Sequence, residues 1–168
     1  MTHVRFASRF VRETLVGVVD AFLRAYNWCG PVVPFGAKPV TLVRRTPKPT
    51  DLVPIDGNMV FVSFGPESDH VNTELGSGLL RIEHIFFIDV VGESETIAYA
   101  IASDIKDRMT GLFGGTRWVC PVDPQTGLGL PGYIGELTDV IQESPNGDNH
   151  NWISIKATYL LDFPGEES

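Results

Sequence analysis

The chain has 168 residues, 43 % of them hydrophobic and 20 % charged, with a formal net charge of -8. That length is enough for one buried core, and the composition excludes a disordered or membrane-embedded class. The acidic balance excludes a broad basic surface for a nucleic-acid backbone. Two cysteines, Cys29 and Cys120, make no disulfide framework or zinc knuckle and are expected as free thiols in a reducing compartment.

From Val4 to Tyr26, Val4, Ala7, Val11, Val18 and Phe22 recur at helical steps, flanked by Phe10, Leu15, Val19, Leu23 and Tyr26. This periodicity predicts an amphipathic helix. Three arginines invite comparison with an organellar transit peptide, but Glu13, Asp20 and the unbroken periodicity favour a structural helix in a cytosolic protein. Arg5, Arg9 and Arg12 share one face as a basic stripe. An irregular insert at about 28–57, rich in proline and glycine, carries one expected strand from Val40 to Arg45.

"NMVFVSF" at 58–64 and "GLLRIEHIFFIDVV" at 78–91 have the β-branched and aromatic content of strands. In the longer one Leu80, Ile82, His84, Phe86, Ile88 and Val90 share a face. The opposite face begins with Arg81 and Glu83 and turns apolar at Ile85 and Phe87, which predicts a free end and a middle covered on both sides. Residues 65–78 between the strands are too many for a tight turn and predict a projecting hairpin arm. A second helix is expected after Ser94 as N-cap, with Gly111 at its C-terminal end. After an irregular loop at about 113–133, "YIGELTDVIQE" and "NWISIKATYLLDF" are expected as a terminal hairpin around Asn146-Gly147. The expected fold is α+β: a mostly antiparallel sheet with two helices packed on it, a projecting hairpin arm and a terminal hairpin, all in one domain.

Chemistry is hard to find along this chain. "GLGLPG" at 127–132 has the spacing of a dinucleotide-binding turn, but that turn needs a strand before it and a helix after it. Pro121, Pro124 and Pro131 break the strand, and the segment following is extended, so a plain loop is expected. "SDH" at 68–70 and "GDNH" at 147–150 offer metal-ligand types that turn chemistry explains equally well. His84 could act as a base beside a carboxylate, yet alternation sends Glu83 and Asp89 to the other face of its strand. There is no nucleophile elbow, P-loop or Cys/His signature.

"DGNMVFVSFGPESDH", "LLRIEHIFFIDVVGESETIAYAIASDIKDRMTGL" and "ISIKATYLLDFPG", with the order of elements around them, resemble the tail-terminator (tail-completion) family of long-tailed bacteriophages, in particular versions from phages of actinobacteria. The resemblance covers roughly 1–27, 58–112 and 151–163; the insert and the 113–133 loop are longer than the family pattern requires. It implies a structural virion protein, made in the host cytoplasm and placed at the head–tail junction. It further implies a homohexameric ring that caps the head-proximal end of the tail tube, with the tube protein and a neck or head-completion protein as partners. DNA would pass its lumen without specific binding, and no catalytic residue, cofactor, metal or membrane would be involved. A ring needs two different contact patches. Arg5, Arg9 and Arg12 are one expected patch and Glu67, Asp69 and Glu74 the other, with Arg81 among the interface residues. Another connector or tube subunit, or a small α+β ligand-binding enzyme, are the alternatives.

Overall fold

A computed structural model describes residues 2–48, 57–67, 71–72, 79–111, 117–123, 125–130, 132–143 and 151–164. In chain order the elements are α1 (Thr2–Ala25), β1 (Val40–Val43), β2 (Asn58–Glu67), β3 (Val71–Asn72), β4 (Leu79–Val91), α2 (Glu95–Met109), β5 (Arg117–Trp118), β6 (Ile134–Glu143) and β7 (Trp152–Pro164). The strands form one sheet in the order β1-β2-β4-β7-β6-β5, with β3 beside β4. Every pairing is antiparallel except β1 with β2. The expected α+β class, with both helices on a mostly antiparallel sheet, is the class observed.

Alternation decides which face of the sheet is buried. Val60 and Val62 on β2, Ile82, His84, Phe86, Ile88 and Val90 on β4, and Ile153, Ile155, Ala157, Tyr159 and Leu161 on β7 are all buried on the face that receives the helices. From α2 come Ile97, Ile101, Ile105 and Met109, at steps of four. From α1 come Val11, Leu15, Val19, Phe22 and Leu23. Val18, expected on the inner stripe, is only partly buried, because the true stripe runs through Leu15 and Val19.

α2 begins where its cap predicts: the Ser94 hydroxyl accepts from the Ile97 N–H at 3.2 Å, and Glu95 occupies the positive end of the helix dipole. Its end differs from expectation. Thr110 leaves the helix in an extended conformation, and its hydroxyl donates to the Lys106 and Asp107 carbonyls, so no left-handed glycine is required at 111.

Three further differences concern the sheet. β1 stops at Val43, where Arg44 turns toward α1 and clasps Glu13 at 2.9 Å. The expected arm is partly built into the sheet, since β2 continues to Glu67 and β3 pairs with Arg81 and Leu80. On the outer face Ile85 and Phe87 are half-buried and not covered; burial instead deepens at Asp89 and Val91. There the Asp89 carboxylate accepts from Trp152 Nε1 at 2.8 Å and from the Ser154 hydroxyl.

The sheet curls around α1. Arg44, just beyond β1, reaches Glu13, and Arg117 on β5 lies over the ring of Phe22 at 5.3 Å. Those two α1 residues are nine apart, about two and a half turns, so the two sheet edges flank opposite sides of the helix.

Candidate functional site

The expected contact residues are distributed as follows. Arg5 and Arg9 lie on α1, and Glu67 ends β2. Asp69 and Glu74 lie outside the described residues, as do the 68–70 and 147–150 clusters. Arg12 is exposed, with its guanidinium 5.6 Å from the centre of the Phe64 ring. Arg81 is engaged within the chain: Nε and Nη2 donate to the two Asp162 oxygens at 2.8 and 3.0 Å, on the paired position of β7. Those hydrogen bonds hold the Arg81 pKa above its ordinary value.

His84 is buried beside Tyr159, with ring centres 6.5 Å apart. Glu83 is exposed on the opposite face, and Asp89, also on that face, is committed to Trp152 and Ser154. No acid–base pair is assembled around His84 from these carboxylates. Among the described residues no three His, Cys, Asp or Glu side chains are gathered to hold a metal ion, and no helix is long and apolar enough to cross a membrane.

The glycine-rich spacing lies in a loop. Asp123 and Leu128 close a turn, Leu130 N–H donates to the Pro121 carbonyl, and Gly127 and Gly132 take positive φ of 71° and 80°. A strand, β6, follows where a phosphate-binding fold would place a helix. Sequence reasoning missed what anchors this loop: the Val122 N–H donates at 2.9 Å to the Thr14 hydroxyl on α1, a buried polar side chain inside an apolar stripe. A threonine at an inward helix position was the available signal.

A surface is the stronger candidate. Both helices lie on one face of the sheet, and the outer face exposes large apolar side chains near the β5–β6 edge. Trp118 is 66 % exposed, Ile134 52 % and Ile141 54 %. Their partners across the sheet, Glu136, Asp162 and Lys156, put all three on that same outer face. Trp118 and Ile134 flank Glu136, and Ile141 lies farther along β6 beyond Thr138, so the face alternates exposed apolar and polar positions.

Behind this edge Tyr159 supplies a pH-sensitive lock. Its hydroxyl donates to the Val119 carbonyl, and burial, then the nearby Cys120, push its pKa above the ordinary 10.0. A raised folded pKa means that the neutral form is preferred in the folded state, so its contribution is fully present below pH 10.0 and is lost as pH rises above it. Thermal melts from pH 8 to about 11.5 should therefore show falling stability above about pH 10. Tyr159→Phe should flatten that fall while costing about 1–3 kcal/mol at neutral pH through the unpaired Val119 carbonyl. An unchanged alkaline slope in the variant would remove Tyr159 as its source.

No family model and no curated protein matches the chain. Among solved structures, a chain in the virion of a native gene transfer agent (GTA) particle is similar at 20 % identity over 91 % of this chain and 96 % of that one, with a TM-score of 0.39.

Proposed function

We propose that this protein is a non-catalytic, ring-forming virion subunit that ends the tail tube of a phage-like particle at its head-proximal end and joins it to the neck. The observation that carries this reading is the one-sided build of the fold. Among the described residues the helices lie on the inner face, while the outer face leaves Trp118, Ile134 and Ile141 exposed. The element order of the resembling family supports it, as does the net charge of -8, which lets DNA pass a lumen without a counterion-release attraction to hold it. The 1–168 chain would act as one domain, with itself, the tube protein and a neck protein as partners. The arginine stripe of α1 and the hairpin arm remain proposed contacts with the tube or the next subunit.

The test is the native mass of the purified protein across a concentration series, with particle images of the same sample. Closed six-fold rings are expected, either free or when purified tail tubes supply a template. A strict monomer that ignores tube ends would overturn the reading.

A further inference from the structure

Residues 29–39 leave the body of the fold and return to it at one point. The Val40 N–H donates to the Trp28 carbonyl at 3.0 Å, and the Cys29 thiol donates to the Val40 carbonyl at 3.5 Å, so hydrogen bonds close the base of the loop. Trp28 at that base is fully buried, and Pro31, Pro34 and Pro39 fix φ along the loop. The loop is therefore stiff, yet its tip is apolar and open: Val32 is 81 % exposed and Phe35 77 %. From Gly30 to Ala37 it carries no charged residue.

Phe35 is unfavourable in its backbone and in its surroundings. The Ala37 N–H donates to the Pro34 carbonyl at 3.1 Å, closing a turn whose central residues, Phe35 and Gly36, are both left-handed at φ 58° and 65°. Such turns take asparagine or glycine, and a bulky residue there is strained. The side chain gains little inside the chain to offset this. Its ring centre lies 6.4 Å from that of Trp28, but most of its surface faces water. A strained backbone that holds an apolar side chain in water, on a loop stiffened by prolines, is a preorganised contact.

We propose that this apolar knob of one copy seats on the Trp118–Ile134 surface of the next copy, head to tail. The inference rests on the ring reading above and names the two different patches that a ring repeats. The knob hangs from β1, the first strand in the sheet order, and Trp118 lies on β5, the last. Those edges flank opposite sides of α1, so one copy can offer its knob to one neighbour while its Trp118 receives the knob of the other. Knob and seat also match in chemistry. Trp118 is 66 % exposed, and Trp118 to Val122 carry no charge, so covering these residues strands no charge of their own. Glu136, across the ladder from Trp118, stays wetted at the rim. Aromatic residues on rigid elements are where contact energy concentrates.

The experiment probes the contact by proximity and by loss. Val32→Cys places a thiol on the knob, and Cys120, exposed two residues beyond Trp118, already lies beside the seat. A short bifunctional thiol reagent should link Val32→Cys rings, free or on tube ends, into a covalent ladder that reaches the full ring. Val32→Cys/Cys120→Ser should give no ladder. Phe35→Asn puts in the turn a residue type that tolerates the left-handed backbone. It should melt no lower than the wild type and need at least tenfold more protein to form rings. Val32→Cys rings that give no ladder, a ladder that survives Cys120→Ser, Phe35→Asn rings at the wild-type concentration, or a lowered melting temperature that makes Phe35 a lid on Trp28 would each overturn the seating. Wild-type rings would in those cases leave the proposed function standing. Absence of wild-type rings, even on tube ends, would remove both.

Discussion

Gly135→Ala is expected to lower the melting temperature by on the order of 10 °C, the largest effect of any single methyl added to this sheet. Gly135 is a buried position on β6, facing the helices opposite Leu161. A Cβ built there overlaps the Tyr159 hydroxyl and the Val119 carbonyl, the two partners of a buried hydrogen bond. Val119 in turn donates to the Gly135 carbonyl at 2.9 Å, so glycine, tyrosine and β5 edge form one lock. Interiors this dense have no slack for the ring to move into. Overpacking at about 1–3 kcal/mol, with loss of the hydrogen bond at about 1–3 more, gives a cost of roughly 2–6 kcal/mol. Because the clash is with the hydroxyl as well as the ring, the same change in a Tyr159→Phe background should cost less than in the wild type. Equal costs in the two backgrounds would show that the Tyr159 oxygen is not what Gly135 accommodates.

How far the sequence announces this fold depends on how many neighbours a residue needs to reveal its role. β4, β7 and α2 are long, and their period-two and period-four patterns name the buried face directly; Ser94 and Glu95 even mark where α2 starts. β3 and β5 are two residues each, too short to carry any period. Periodicity also tells which face is buried and not which strand lies alongside. The parallel pairing of β1 with β2 had no signal of its own, nor had the curl that brings Arg44 to Glu13 and Arg117 to Phe22. The candidate surface was legible only in part. Trp118, Ile134 and Ile141 are plain in the sequence, but the face they share depends on the register of β5, β6 and β7. The arginine stripe was easy to see because helical spacing displays it, whereas Arg81 was hard to assign because its partner Asp162 is 81 residues away.

Trp28→Ala should cost about 3–5 kcal/mol, as large aromatic truncations in a closed core do. Trp28 sits in an insert whose prolines and glycines erase periodicity, so nothing but its bulk pointed to the core. It is nonetheless fully buried, and it ties three elements together. Its N–H and C=O join Leu23 at the end of α1 to Val40 at the start of β1, at 2.9 and 3.0 Å, while Nε1 donates to Asp104 on α2 at 2.7 Å. Next to it the Cys29 thiol donates to the Val40 carbonyl at 3.5 Å, and burial raises its pKa. Removing the indole should therefore loosen β1 itself, beyond the loss of buried area. In a Cys120→Ser background, Trp28→Ala should make Cys29 react with a thiol reagent at least tenfold faster at neutral pH. Asp104→Ala leaves the ring in place and removes only its hydrogen bond, about 1.5–3 kcal/mol for a charged acceptor, and should change that rate little. A destabilised Trp28→Ala chain whose Cys29 stays as slow as wild type would mean that β1 is held by its pairing with β2 alone. A fast Cys29 would make Trp28 the residue that holds the start of β1 in place.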